Sequence, residues 1–378
     1  MKGRLQLLRT YPEVAVALSW VVVSRATLWF IGLVSREVLQ LFLPQQEPGA
    51  PFTENPFLAV WGHWDTRWYL DIARRGYSPE RLPYTGEANY AFFPLYPLLM
   101  RALGPVVGDV YLAGIVVSNL YLVAAAVLLY RLARLDGDEL AAERSVKYLL
   151  LLPTAFVFSA VLTEALFVAL SVAAFLQARR DRWWAAGVLG GLAALTRPNG
   201  VLLVLPLAWI CFAGAEGRTR WASRVAALSL VPLGLGMFCF YNWLLTGDLL
   251  AFVRVQQAWL RAPANPVEVL LGGVSSPVPQ LRVGAWFAVA VLVLSFAFAR
   301  TLGFPYFLVC LSAVLLPLGG GWVSLFGQAR YVLSAWPLAL LLARLGSRAD
   351  TDALLTASLA LLQGFLMVFW SNGSRMVI

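Results

Sequence analysis

Charge is scarce in this sequence. Only 13% of the 378 residues are Asp, Glu, Lys or Arg, against 60% hydrophobic residues and a mean hydropathy of +0.73. A water-soluble globule of that composition would have no polar cover for its apolar surface, so the bilayer is its natural solvent. Cysteine is equally sparse: Cys211, Cys239 and Cys310 lie singly inside apolar segments, with no paired spacing. A disulfide framework and a zinc site are thereby excluded, and the three thiols read as small core hydrophobes. The net charge of +9 does not indicate nucleic acid, because the arginines are scattered between apolar blocks and form no basic stripe. Low-complexity tracts, internal repeats and matched Gly/Pro-interrupted spans are also missing, which counts against many secondary transporters.

What is present is a series of apolar runs, at about 14–43, 110–132, 146–158, 164–178, 184–195, 200–213, 223–246, 283–299, 304–318, 329–345 and 352–371. Against the ~20 residues needed to cross hydrocarbon, they predict an all-α polytopic bundle of about eleven transmembrane helices, the shorter ones tilted or packed inside. Breaks at Pro153, Pro198 and Pro317 are tolerated where neighbouring helices satisfy the backbone. The first run is too long for a signal peptide and has no small-residue cleavage pattern, so it is expected to remain as an anchor. The whole of 1–378 reads as one membrane domain. Arginine far outnumbers lysine among many Ala, Leu and Gly residues, a bias expected of a bacterial chain from a GC-rich genome.

Placing the amino terminus in the cytoplasm puts Lys2, Arg4, Arg9 and the arginines near 131–144, 179–182, 218–224, 300 and 344–348 on that side, as the positive-inside rule requires. A plasma-membrane protein with an extracytoplasmic working face is the expectation. That face receives a first loop at 44–109, short turns near Thr163 and Thr196, a second loop at 247–282, and the edge around Gln328.

In the first loop, Trp61, Trp64, Trp68 and Ile72 recur at helical spacing, predicting an amphipathic helix in the membrane plane with its indoles at headgroup level. Such a helix would keep Asp65 at the depth where a lipid-linked phosphate is presented. Asp65 can serve as general base toward an acceptor hydroxyl, or simply cap a helix from Thr66 to Arg75 that ends at Gly76. Asp71, six positions on, faces elsewhere and reads as a solvated or salt-bridged residue. His63 can hydrogen-bond substrate or shuttle a proton, or be a satisfied interfacial side chain. Ala91 to Pro97 is too proline-broken for a regular helix and too apolar for a free loop, so it is expected to dip into the interface.

Glu164 follows Thr163 where two apolar runs meet; it is a site candidate or a first-turn acid favoured by the helix dipole. Arg197 and Arg330 lie close to the membrane surface, where each can bind phosphate or merely snorkel. Under one topology Asp65, Glu164, Arg197 and Arg330 share a face, which unrelated capping and snorkelling would not require.

In chain order, Trp64-Asp65 with Ile72-Ala73 and Gly76-Tyr77, Ala91-Phe92-Phe93-Pro94 with Pro97, Pro153 with Thr163-Glu164-Ala165-Leu166-Phe167, Arg197 with Asn199-Gly200, and Gln328 with Arg330 resemble the PIG-V family of mannosyltransferases. These membrane enzymes use dolichyl-phosphate mannose. The resemblance spans about residues 15–345 and implies a GT-C type glycosyltransferase fold with Asp65 catalytic.

With it comes a polyprenyl-phosphate sugar as the expected donor; Arg197 and Arg330 are read as its phosphate partners, and His63, Trp64, Tyr77, Glu164, Asn199 and Gln328 as residues lining the substrates. Trp68 and Tyr69 stand where eukaryotic relatives carry His-Phe, so a different acceptor is expected: a lipid, a glycan or a protein hydroxyl. Membrane lipids are the surrounding partners and nucleic acid is not one. No cofactor is certain from the sequence: Mg or Mn stays open, although one loop aspartate and distant carboxylates make no obvious oxygen cage. The rival readings are a lipid or lipid-linked sugar transporter and a non-catalytic assembly partner.

Overall fold

A computed structural model describes residues 11–42, 52–213, 218–374 and 376. Lys2, Arg4, Arg9 and the first part, 44–51, of the connection expected to face outward lie outside the described residues. Within them every regular element is a helix.

Five helices are long and apolar enough to cross a membrane: Pro12–Leu39, Val110–Ala133, Trp221–Thr246, Pro279–Ala297 and Ala349–Ser371. A sixth crossing would join Trp322–Ser334 to Pro337–Leu345 across a 67° bend. The chain is thus a multi-pass helical membrane protein, but its eleven apolar runs do not become eleven such spans among the described residues. The 146–158 run, for example, divides at Pro153 into the end of helix Glu139–Leu151 and a 3-10 turn, Ala155–Ser159, both packed inside the protein. Hydropathy alone cannot separate a lipid-facing helix from a buried one.

The centre of the bundle is the helix Glu164–Arg179, buried at every residue except Gln177 and Arg179. An apolar surface all round suits a helix surrounded by others; Val110–Ala133 and Trp183–Ala194 flank it. Gly191 and Gly234 bring Trp183–Ala194 and Leu230–Thr246 together backbone to backbone, since a Cβ on Gly234 would overlap the carbonyl of Gly191. Small residues at such a crossing permit the close approach on which helix packing in lipid depends.

At ~1.5 Å per residue, the central helix separates its two ends by about 24 Å. At the Arg179 end, Arg179 pairs with Asp136 at 2.7 Å and Arg131 with Glu13 at 2.7 Å. A surface concavity of about 380 Å³ lined by Glu13, Arg131, Arg134 and Arg180 opens at that end. The other end begins at Glu164, and there the first loop is fastened. Trp370 donates to the Val60 carbonyl at 2.9 Å, Tyr111 to Leu58 at 2.8 Å and Trp29 to Phe57 at 2.8 Å.

The aromatic stripe of this loop is arranged differently from its spacing. The helix runs only from Thr66 to Arg75, so Trp61 and Trp64 precede it, and Trp68 and Ile72 face protein. Trp68 stacks on Phe92 with ring centroids 5.5 Å apart and meets Trp259 edge-on at 5.7 Å. Trp61 and Trp68 are core groups inside the protein and Trp64 is partly buried, so the three do not form one membrane-facing stripe. Farther on, the chain makes only a 3-10 turn, Asn89–Ala91, before Pro94 and becomes helical at Leu95–Val107. Pro97 fits in that first turn because its missing N–H would have no intrahelical partner there.

Candidate active site

Asp65 is positioned by a short, tightly determined piece of chain. Trp64 has φ 54°, a left-handed conformation that costs a bulky residue about 1–3 kcal/mol unless its surroundings enforce it. Neighbouring bonds supply that enforcement: the Thr66 hydroxyl accepts from the His63 N–H at 3.2 Å and donates to the Val161 carbonyl at 3.3 Å, while the Val161 N–H returns to the Trp61 carbonyl at 2.9 Å. Helix Thr66–Arg75 follows and stops at Gly76, whose φ of 85° continues no helix.

The Asp65 side chain makes no capping bond to that helix. It accepts instead from Arg330 Nη2 at 2.7 Å. Arg330 Nε lies 3.4 Å from Glu164 Oε1, and the same oxygen is paired with Arg197 Nη1, which also donates to the Thr163 hydroxyl at 3.3 Å. Thr163 likewise forms no helix cap. Four side chains from four segments thus form one row of alternating charge: carboxylate, guanidinium, carboxylate, guanidinium.

Exposure is graded along the row. The Asp65 side chain is 27% exposed, whereas Glu164 is 2% and Arg330 5%. The first carboxylate is therefore reachable from outside, and the interior pair stands behind it. Burial pushes the Asp65 carboxyl up, but the charge and hydrogen bond of Arg330, assisted by Arg261 and Arg197, prevail and hold it below the usual carboxylate range.

Two further residues belong to this group that the motifs did not single out. Tyr331 presents its ring to three guanidiniums: Arg330 at 5.3 Å, Arg197 at 5.8 Å and Arg261 at 5.9 Å from the centroid. Arg261 reaches in from the second loop and donates to the Tyr331 hydroxyl at 2.6 Å and to Gln256 at 3.0 Å. No motif marks either residue; the only signal was Arg261's position in that loop.

The remaining candidates are dispersed around this row. Asn199 Oδ1, both polar atoms of the Gln328 amide and the Trp64 indole nitrogen are buried without hydrogen-bond partners, as are Glu164 Oε2 and Arg330 Nη1. Buried polar atoms are nearly always satisfied, so such a concentration in one stretch of the fold suits a site that takes a polar ligand. His63 turns the other way, edge-on to Trp370 at 5.0 Å, and burial together with the nearby Arg36 lowers its pKa to about 4. A neutral imidazole there is a poor proton shuttle at neutral pH. Tyr77 spends its hydroxyl on the Phe92 carbonyl at 2.7 Å and packs against Tyr241 and Phe238. Asp71 bonds Arg75 at 2.6 Å and Asn89 at 2.8 Å. Among the described residues no three His, Cys, Asp or Glu side chains gather as metal ligands. The two carboxylates are bridged by a guanidinium, a set that suits an anion.

Comparison with known proteins gives this geometry a context. Residues 50–217 match the family model described as mannosyltransferase (PIG-V). The GPI alpha-1,6-mannosyltransferase 2 of Rattus norvegicus is 34% identical over 152 residues, covering 37% of this chain and 30% of the relative. That of Mus musculus is 35% identical over 150 residues, with 37% and 29% covered. The match thus spans less than a third of these curated relatives.

Among solved structures, the Archaeoglobus fulgidus oligosaccharyltransferase in complex with Zn and sulfate aligns with a TM-score of 0.47 and 15% identity, over 93% of this chain and 53% of that one. The apo form of that enzyme aligns with a TM-score of 0.48 and 14% identity, over 95% and 56%. The matched family segment contains Asp65, Glu164 and Arg197 and ends before Arg261 and Arg330. Over residues 50–217, the chain is similar to the PIG-V mannosyltransferase family.

Proposed function

We propose that this protein is a glycosyltransferase of GT-C type that moves a hexose, mannose by its family, from a polyprenyl-phosphate carrier to an acceptor hydroxyl at the extracytoplasmic membrane face, with inversion. One observation carries the reading: a reachable carboxylate, Asp65, is held by a buried guanidinium, Arg330, that keeps Nη1 unpaired. Asp65 receives the acceptor proton as the hydroxyl oxygen attacks the anomeric carbon from the face opposite the phosphate. Arg330 and Arg197 hold the phosphate.

Charge supports a singly charged donor. Arg197, Arg261 and Arg330 against Asp65 and Glu164 leave a surplus of one positive charge, which a phosphodiester monoanion neutralises. The same network sets the timing. While Arg330 is shared only between the site's own two acids, the Asp65 carboxylate is a weak base; a donor phosphate that also draws on the guanidinium raises its proton affinity just as the acceptor needs it. Rate enhancement then rests on holding two amphiphiles in register and on stabilising charge on the departing phosphate. Glu164 Oε2 and Asn199 Oδ1 are acceptors free to orient sugar hydroxyls.

The test is transfer by purified protein from polyprenyl-phosphate mannose to a lipid-extract acceptor. Asp65→Asn is expected to lower turnover by about 10²–10⁴-fold while the variant still expresses and melts cooperatively. Undiminished turnover would overturn the assignment of the base.

A further inference from the structure

Arg261 differs from the other two guanidiniums of the site. Arg330 faces two carboxylates and Arg197 faces one, whereas Arg261 has none among the described residues; its partners are the neutral Tyr331 hydroxyl and the Gln256 amide. Its Nε is buried without a partner. A partly buried guanidinium whose Nε is sealed off without a partner, and which has no carboxylate in salt-bridge contact, is left with charge and donor capacity to offer an anion that is present only during function.

The backbone around Arg261 is shaped to deliver it. Leu260 adopts φ 56°, ψ 23°, a left-handed conformation unfavourable for leucine, and its side chain is 80% exposed. That kink turns the chain so that Leu260 points outward and Arg261 inward. Trp259 pins one side, meeting Trp68 edge-on at 5.7 Å on the helix that follows Asp65. Ala264 pins the other, its N–H donating to the Gly319 carbonyl at 3.0 Å. Gly321, at φ 86°, lets the chain pass Ala262, whose carbonyl would be 3.1 Å from any Cβ there. The second loop is thus fastened to both the Asp65 helix and the turn that leads to Arg330.

We propose that Arg261 is the site's third phosphate ligand, and that its unpaired charge is matched to the additional negative charge the phosphate acquires as the sugar leaves. This rests on the donor reading above. In the transfer, a bond forms between the acceptor oxygen and the anomeric carbon, and the bond from that carbon to the phosphate oxygen breaks. The hydroxyl proton passes to Asp65, and the phosphodiester monoanion becomes a monoester dianion. With Arg261 present, the five ionic side chains and the phosphate sum to zero before the step and after it. Without Arg261 both states carry a net negative charge. Because Arg261 has no carboxylate to satisfy, it follows the phosphate alone and holds the dianion more tightly than the monoanion.

The test needs no turnover. Binding of farnesyl monophosphate, a dianion at pH 8, is compared with that of its methyl diester, a monoanion, by intrinsic tryptophan fluorescence of the full chain in detergent. Arg261→Gln is expected to weaken the monoester at least about tenfold and the diester only about threefold, with Arg261→Lys recovering part of the difference. Tyr331→Phe, which removes the bracing hydroxyl but no charge, should leave the ratio of the two affinities near that of wild type. Equal losses for both ligands, no loss for either, or a Tyr331→Phe variant that copies Arg261→Gln would reduce Arg261 to a loop brace and overturn the proposal. A wild-type protein that binds these ligands with the expected Arg261 dependence yet transfers no sugar would instead sink the transferase reading.

Discussion

Asp65 and Arg330 are 265 residues apart in the chain and 2.7 Å apart in the fold. Neither side chain serves its own helix: the aspartate leaves the adjacent N-terminus uncapped, and the arginine, buried at the edge of a bent segment, reaches two acids at once. Their coupling is measurable by a double-mutant cycle on thermal stability in detergent, using Asp65→Asn, Arg330→Gln and the pair. A coupling of about 1–3 kcal/mol is expected for residues sharing such a network. Strict additivity would show that the two do not interact in the folded protein.

Glu164 is the hinge of the charge row, so its removal is expected to cost more than that of either neighbour. Glu164→Ala leaves Arg197 and Arg330 facing each other across an unfilled buried space, a loss of about 3–5 kcal/mol by the usual cost of orphaning a buried charge. Glu164→Gln, which can still accept one bond, should fall between it and wild type. Melting curves of the three proteins check the ranking; an Ala variant as stable as wild type would mean that the acid has little part in holding the fold.

A pH dependence follows from His63, whose pKa drops from 6.5 to about 4 in the folded protein. The unfolded chain then binds a proton that the folded chain refuses between those values, so stability is intact above about pH 6.5 and falls as pH decreases toward 4. His63→Gln should flatten that part of the profile. The Asp65 contribution, lost only as pH falls below the ordinary carboxylate range, lies at more acidic pH and is separable. A His63→Gln profile parallel to wild type between pH 7 and 5 would contradict the buried, neutral imidazole.

Gly234→Val probes the helix crossing. Its Cβ would overlap the Gly191 carbonyl, so the two helices must separate, at a cost of about 1–3 kcal/mol for overpacking. Gly236, where an added Cβ meets nothing, is the control. The expected result is a lowered melting temperature for Gly234→Val and little change for Gly236→Ala.

Local signals in the sequence were reliable where the physics is local. The helix after Asp65 ends at Gly76 behind Arg74 and Arg75, as turn chemistry dictates, and Asp71 forms the i,i+4 bridge that its helical position allows. Long-range choices were not legible. Asp65 is open to capping as well as to the favoured reading as a base, and the capping bond is absent because a guanidinium from residue 330 turns its carboxylate away. Trp61, Trp64 and Trp68 share a helical spacing, yet the left-handed backbone at Trp64 breaks the helix and the three indoles form no common stripe. Arg261 and Tyr331 carry no motif, because their roles arise from two distant loops meeting. The same limit holds for the span count: run 164–178 forms the helix Glu164–Arg179, which other helices surround, a placement that hydropathy does not distinguish from a lipid-facing one.

The order in which the charge row is encoded has a consequence during synthesis. At translation rates of ~5–20 residues per second, the 265 residues between Asp65 and Arg330 take roughly 13–53 s to emerge. Once Arg197 has been added, Asp65, Glu164 and Arg197 are all present while the guanidinium that joins the two acids still is not. Until Arg330 arrives, nothing links the outer carboxylate to the buried one, so the row of alternating charge stays open while the central helix is being made.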